Sequence, residues 1–337
     1  MDALLKEWEA RKDEWLGLLE KKGEQLKTIY IGGGTPSTLD ISSLQNILNH
    51  IILVDSPLYN LEEITMEVNP GDVTEERARA WKAMGINRLS MGIQSFDDGL
   101  LQLIGRRHTA EQAKNAVKIV QSAGFDNLSI DLMYGLPGQG MEQWQRDIAK
   151  AIGLGVQHIS SYGLIYEEGT VLTTLLEQGK IDAVDEDIEM TMYDKLVDEL
   201  TANGYVHYEV SNFALKGRES KHNSSYWNDT PYLGLGAGAH SYDGNTRWWN
   251  EGELDSYIAK INAGKIEAEK EELTAEDRHL ERVMLGLRTN KGISIDWIDK
   301  AKAQEYIQQG LLCMHDGNVV ATTLGFHVLN RIIEDLV

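Results

Sequence analysis

The sequence contains one cysteine, Cys313, in 337 residues. No intrachain disulfide can form, and no cluster resting on three or four thiolates of this chain can be built. Basic residues are scarce as well: 32 Lys and Arg stand against 53 Asp and Glu, a net charge of −21. Such a surface repels phosphate backbones and anionic lipid, which argues against a nucleic-acid or membrane-surface role. Long apolar runs are missing too. No stretch approaches the roughly eighteen uninterrupted apolar residues of a membrane span, and the opening MDALLKEWEARKDEW lacks the basic-then-apolar pattern of a secretory signal. The expectation is a soluble, cytoplasmic chain with no nucleic-acid partner and no intrinsic membrane segment, long enough for one large or two moderate domains.

What the sequence does contain is a repeating unit. Residues 3–20 place Leu5, Trp8, Trp15 and Leu19 on one helical face, with Glu and Lys opposite. Five strand-like segments follow, KTIYIGGG, EITMEVNP, RLSMGIQS, NLSIDLMYG and HISSYGLIY, separated by helix-like SSLQNILNHII, EERARAWKAMG, TAEQAKNAVKIVQSAG and EQWQRDIAKAIGLG. Thr109 with Gln112 forms a capping-box signature at the start of the third of these helices. Parallel neighbours need crossover connections, and helical crossovers of this kind predict a parallel sheet. Every strand runs into polar or glycine-rich sequence, and ligand sites in such sheets gather at the strands' carboxyl ends.

The rhythm changes after about residue 175. Residues 185–203 read as an amphipathic helix, and HYEVSNFALKGRESKHNSSYWNDTPYLGLGAGAHSY as an aromatic, glycine-rich region covering a face or edge of the sheet. The last part is helix-rich and charged, with a small hairpin around Asp316-Gly317 before a final helix, an order that suits a winged-helix-like module. The expected division is 1–175, 176–265 and 266–337.

IYIGGGTPS, EVNPGDV, SMGIQSF with GRRHT, and IDLMYGLPGQ occur in an order and spacing that resembles the HemW and oxygen-independent coproporphyrinogen III oxidase branch of the radical S-adenosylmethionine (SAM) proteins. The resemblance runs from about Lys27 to the C-terminus and is strongest through His240. It implies an α/β (β/α) part-barrel of parallel strands, with a C-terminal α+β region and the small module. It also implies a strand and a C-x-x-x-C-x-x-C loop ahead of residue 1, so that either the chain begins after them or it is a cluster-less derivative, the first expected because every other block is in place. In relatives those thiolates hold a 4Fe-4S cluster that binds SAM and reduces it to an adenosyl radical; this chain cannot support the cluster. A further departure lies between Gly292 and Gln308, where relatives carry more residues.

By the same resemblance, Gly33, Gly34 and Thr35 line the methionine end of SAM, Glu67 accepts from its ammonium, Arg106 meets its carboxylate, and Gln94 and Asp131 bind ribose or purine edges. Glycine suits close backbone approach, and a carboxylate on an ammonium makes a charge-assisted bond. Read as residues alone, the glycines also fit an ordinary strand-to-helix turn opened by Pro36. Gln94 and Asp131 also fit strand-end caps, and Arg106 a solvated charge. The HNSSYW segment, His222 to Trp227, and GAGAHSY around His240 resemble a heme-binding signature: His222 or His240 would ligate iron, with Tyr226 or Trp227 stacking on the porphyrin. Each is equally readable as a structural hydrogen-bonding residue. Cys313 reads as a small core or hairpin residue.

Three functions follow. The first is a heme-handling protein that binds SAM and heme and serves heme-accepting proteins. The second is an oxygen-independent coproporphyrinogen III oxidase, although nothing represents that enzyme's longer N-terminal region. The third is an unrelated TIM-type enzyme using GGGTPS as a phosphate loop. The chain is expected to perform no radical chemistry, so no residue is assigned as catalytic and none as a cluster ligand.

Overall fold

The five expected segments form parallel strands β1 (Leu26–Ile31), β2 (Tyr59–Val68), β3 (Arg88–Gln94), β4 (Leu128–Tyr134) and β5 (His158–Gly163) in the computed structural model, which describes residues 1–52, 56–266 and 268–337. Helix α1 (Asp2–Lys22) precedes them. The crossovers are filled by α2 (Ile41–Ile51), by α3 (Glu75–Ala83), by α4 (Asp98–Leu103) with α5 (Ala110–Ser122), and by α6 (Met141–Gly153). The expected capping box at α5 is present in both directions: Thr109 Oγ1 accepts from the Gln112 amide at 3.2 Å and Gln112 Oε1 from the Thr109 amide at 2.8 Å. After α7 (Val171–Glu177) and α8 (Glu186–Ala202), strands β6 (Tyr205–Glu209) and β7 (Asn212–Leu215) extend the sheet's edge, β7 antiparallel to β5 and β6 antiparallel to β7. The seven strands run β1-β2-β3-β4-β5-β7-β6.

Alternation along each strand decides what the sheet's two faces are made of. In β3, Leu89, Met91 and Ile93 are buried in the main core with Trp81, Ala113 and Val117 of the covering helices. The other parity carries Arg88, Ser90, Gly92 and Gln94. The same rule sends Ile64, Met66 and Val68 of β2, Leu128, Ile130 and Leu132 of β4, and Ile159 of β5 to the helices. It leaves Thr28, Tyr30, Glu63, Thr65, Glu67, Ser129, Asp131, His158 and Ser160 on the opposite, concave face. The curled sheet is therefore apolar outside and polar inside. Helix α8 joins the same outer core through Met192, Tyr193, Leu196 and Leu200, so sheet and core run on past residue 175 to about 215.

Helix α9 (Lys221–Tyr226) packs on β1 and β2. Beyond it, β8 (His240–Tyr242), β9 (Thr246–Trp249) and, after α10 (Leu254–Asn262), β10 (Glu269–Glu272) make a small antiparallel sheet. The last part has its own core: α11 (Ala275–Leu287), α12 (Lys300–Gln308) and, after the short α13 (Thr323–Phe326), α14 (Leu329–Leu336) pack on a three-stranded sheet of β11 (Ile293–Ser294), β13 (Asn318–Ala321) and β12 (Leu312–His315). Asp316 and Gly317 both take positive φ, 49° and 85°, as a two-residue hairpin turn of the mirror-image type requires.

One residue departs from the expected face of α1. Glu7 is fully buried rather than solvent-facing, and its carboxylate is the hub of that helix's attachment. It accepts from Arg11 Nε (3.1 Å), the Gly236 amide (2.9 Å), Asn250 Nδ2 (2.7 Å) and Tyr257 Oη (2.7 Å), joining α1 to β9 and α10. Its surrounding donors, not its sequence period, make burial tolerable. Glu7→Gln puts an amide N–H among these donors and is expected to lower unfolding free energy by about 1–3 kcal/mol in a denaturant titration.

Candidate functional site

The turn after β1 is moulded by its three glycines for two different reasons. Gly33 and Gly34 adopt left-handed backbone, φ 79° and 60°, which a side chain disfavours. Gly32 does not, but a Cβ there would lie 2.4 Å from Tyr30 Cε1 and 3.0 Å from Glu67 Oε1. The chain thus turns back over a side-chain pair: Tyr30 Oη donates to Glu67 Oε1 at 2.7 Å, and the Gly33 amide donates to Glu67 Oε2 at 3.2 Å. Pro36 opens a single 3₁₀ turn, Pro36–Thr38, and α2 starts only after Asp40 caps it, its carboxylate accepting from the Ser43 amide at 2.8 Å.

Glu67 is the penultimate residue of β2 and Gln94 the last of β3, at the carboxyl ends where they were expected. Gln94 sits at φ 70°, one of three non-glycine residues with positive φ among the described residues, beside a register shift between Gly92 and Gln94. Such strain is of order 1 kcal/mol or more and persists where surroundings impose it. A Cβ at Gly92 would lie 3.1 Å from both Gln94 Nε2 and Arg106 Nη2, so the side chains use the space this glycine leaves. Arg106 is not a solvated charge. It is half-buried and donates through Nη2 to the Gly92 carbonyl (2.7 Å) and Asn69 Oδ1 (2.8 Å), which fixes its guanidinium over the ends of β2 and β3.

Asp131 lies inside β4, three residues before its end, rather than at the strand end; it pairs with Gly92 and Ser160 of the neighbouring strands. That recess explains its protonation. Asp131 is part-buried, and desolvation by the protein around its carboxyl pushes it up to about 6; Arg88 opposes the rise, Glu67 adds to it, and the Ser90 and Ser160 hydroxyls pull back. Arg88, 1% exposed, is the buried cation of the concave face. Two carboxylates thus face the mouth of the sheet beside Arg106. An anionic phosphate would meet Glu67 on the amide of Gly33, so the phosphate-loop reading of GGGTPS has the wrong charge.

Helix α9 carries HNSSYW into the same concavity. Ser220 caps it, and buried Glu63 accepts from the Lys221 and His222 amides at 2.9 and 3.0 Å, placing a negative charge at the helix start. His222 Nδ1 bonds Thr28 Oγ1 at 2.9 Å and Nε2 bonds Tyr226 Oη at 3.0 Å; its ring stacks on Tyr30 at 4.7 Å and 18°. Burial brings its pKa down to about 4, with Glu63 raising and Arg88 lowering it, so the imidazole is neutral near pH 7. Trp227 carries the Arg288 guanidinium 5.4 Å over its ring. His240 is exposed and stacks on Trp249 at 5.8 Å; among the described residues no hydrogen bond or ring contact joins it to His222, Tyr226 or Trp227. The structure therefore gathers Gly33, Glu67, Gln94, Arg106 and Asp131 at one mouth, with Thr35 linked through Asn69 at 3.5 Å. It sets His222 and Tyr226 behind them and leaves His240 apart.

Tyr30, Gly32, Asn69, Arg88 and Gly92 were not assigned from sequence. The strand period was the available signal for Tyr30, since it shares the parity of Thr28. The rest needed tertiary contacts. A cluster does not fit: Cys313 is exposed on β12 in the C-terminal part, and among the described residues no three His, Cys, Asp or Glu side chains gather to hold a metal. The room left by Gly32 and Gly92 is taken up by the side chains of Tyr30, Glu67, Gln94 and Arg106, so what the mouth offers a ligand is a set of polar groups of both signs.

Residues 5–151 match the profile described as the Radical SAM superfamily, and residues 273–328 that of the HemN C-terminal domain. Among curated proteins the chain is 39% identical to heme chaperone HemW of Bacillus subtilis over 85% of this chain and 76% of that one. It is 38% identical to heme chaperone HemW of Lactococcus lactis over 92% and 84%. Among solved structures it resembles coproporphyrinogen III oxidase (HemN) from Escherichia coli, described as a radical SAM enzyme, with a TM-score of 0.77 at 20% identity, covering 99% of this chain and 81% of that one.

Proposed function

From the premise that the chain belongs to the HemW heme chaperone family of radical SAM proteins, we propose that it binds SAM at the mouth of the sheet and heme at α9, and serves heme to acceptor proteins in the cytoplasm. Gly33, Gly34 and Thr35 receive the methionine end, Glu67 the ammonium, Arg106 the carboxylate, and Gln94 and Asp131 the nucleoside. In radical SAM proteins SAM supplies an adenosyl radical when an iron-sulfur cluster reduces it. This chain's residues only bind and orient: two carboxylates and a fixed guanidinium define which way a zwitterionic ligand lies.

The observation that carries the heme reading is His222, a neutral imidazole with Nδ1 held by Thr28 and Nε2 bonded to the Tyr226 hydroxyl. Ligation by Nε2 then needs displacement of one hydroxyl, while the other bond orients the ring as outer-shell partners of metal-bound histidines do. Tyr226 and Trp227 remain at hand to contact the porphyrin. The test is an optical titration with ferric heme. We expect a saturable Soret shift at one heme per chain, weakened at least roughly tenfold, about 1.4 kcal/mol, in His222→Ala. A shift indifferent to that substitution removes α9 as the site.

A further inference from the structure

Tyr30 touches both proposed sites with different atoms. Its hydroxyl donates to Glu67 Oε1 at 2.7 Å, the acceptor assigned to the ligand ammonium, while its ring lies 4.7 Å from that of His222 at an 18° tilt. The contact is built into the chain rather than incidental. Thr28, one pleat earlier on the same face of β1, holds His222 Nδ1 at 2.9 Å, and Gly32 is kept free of a side chain where a Cβ would strike Tyr30 and Glu67 together. The hydroxyl is kept protonated by burial and by the neighbouring Glu67 charge, so it stays a donor at working pH.

An ammonium on the same carboxylate oxygen neutralises part of the charge that attracts the phenol O–H, so the Tyr30 bond to Glu67 weakens when a cationic group binds there. A ligand at Glu67 therefore competes with Tyr30, and a tyrosine released at its hydroxyl turns about two side-chain torsions. His222 loses the face against which it is stacked and is freer to leave Tyr226 for iron. Differential contacts of this kind are what a coupling free energy requires.

We propose that Tyr30 is a positioning residue that couples the two sites, so that SAM at Glu67 tightens heme binding at His222 and heme tightens SAM binding by the same factor. The inference rests on the binding roles proposed above. The experiment uses the full chain: ferric heme is titrated with and without saturating SAM, in the native protein and in Tyr30→Phe, and SAM is titrated alone by calorimetry. The His222 ring-proton NMR resonance, assigned with His222→Gln, is followed as SAM is added.

We expect SAM to tighten heme binding by roughly fivefold or more in the native chain, within the usual span of such couplings. In Tyr30→Phe the factor falls below about twofold while each ligand still binds singly, and the SAM-induced shift of the His222 resonance disappears. A merely structural role for Tyr30 would change the single-ligand affinities and leave the factor in place. An equal factor in both proteins, or no factor in a native chain that binds both ligands, overturns the coupling alone. Failure of the native chain to bind either ligand singly overturns the function reading, and the coupling with it.

Discussion

After anaerobic incubation with ferrous iron, sulfide and a strong reductant, this chain is expected to release no 5′-deoxyadenosine from SAM. The effect is all or none because it follows from a ligand count. A 4Fe-4S cluster poised for SAM needs three thiolates from the protein, and the chain has one cysteine. That residue, Cys313, is exposed on β12, in the C-terminal part rather than at the mouth formed by Gly33, Glu67 and Arg106. Histidine and carboxylate substitutes are not assembled either, since no candidate metal-holding group occurs among the described residues. Product analysis by mass-resolved chromatography decides the matter, and turnover of SAM above the protein-free control would overturn the prediction. On the roles proposed above, Glu67, Arg106 and backbone amides would hold the ligand's amino and carboxylate groups without a cluster. SAM binding to this chain is accordingly expected to be weak.

Asp131→Asn is expected to stabilise the fold above pH 6 and to weaken ligand binding at the same time. Burial raises the Asp131 carboxyl from its ordinary 3.8 to about 6, so the folded protein prefers the neutral form. Below pH 3.8 both folded and unfolded chains carry the proton and nothing is lost. As pH rises through 3.8 to about 6 the unfolded chain ionises first, and above about 6 the folded chain holds a part-buried charge. At about 1.4 kcal/mol per tenfold change in proton affinity, that charge costs the native state up to about 3 kcal/mol. Asparagine keeps the shape without the charge. Denaturant titrations of the two proteins should coincide well below pH 3.8 and separate progressively from there to pH 7, with the variant the more stable. Equal separation at every pH would mean that protonation of Asp131 is not the cause. Affinity for a nucleoside hydroxyl should show the opposite preference, since the ionised carboxylate of the native chain is the better acceptor. The destabilised charge is what a site residue looks like when function and stability pull apart.

Residues legible in the sequence were those whose role depends on local pattern. Leu89, Met91 and Ile93 alternate with polar residues, and that period alone sends them to the helices. Thr109 and Gln112 lie three apart, and their reciprocal cap is a local hydrogen-bond geometry. Asp316-Gly317 makes the hairpin because both positions must take positive φ. Glu67 and Gln94 were legible for a related reason: a strand followed by glycine or a polar loop ends there, and its last side chains face the sheet's mouth. The same logic misplaced Asp131, because YGLPG marks the end of β4 three residues later, and the depth of a side chain below a strand end is not written in its immediate neighbours.

What the sequence determined by itself was the parallel strands with their helical crossovers, the family motifs and, through one cysteine, that these residues supply too few thiolates for a cluster. Tertiary structure decided which polar residues meet. Glu7 is buried because Gly236, Asn250 and Tyr257 converge on it from more than two hundred positions away. Tyr30 joins Glu67 to His222 only because α9 folds back onto β1. Periodicity acts between near neighbours and survives translation into sequence; hydrogen bonds and ring contacts across the fold depend on distances that only the packed chain creates.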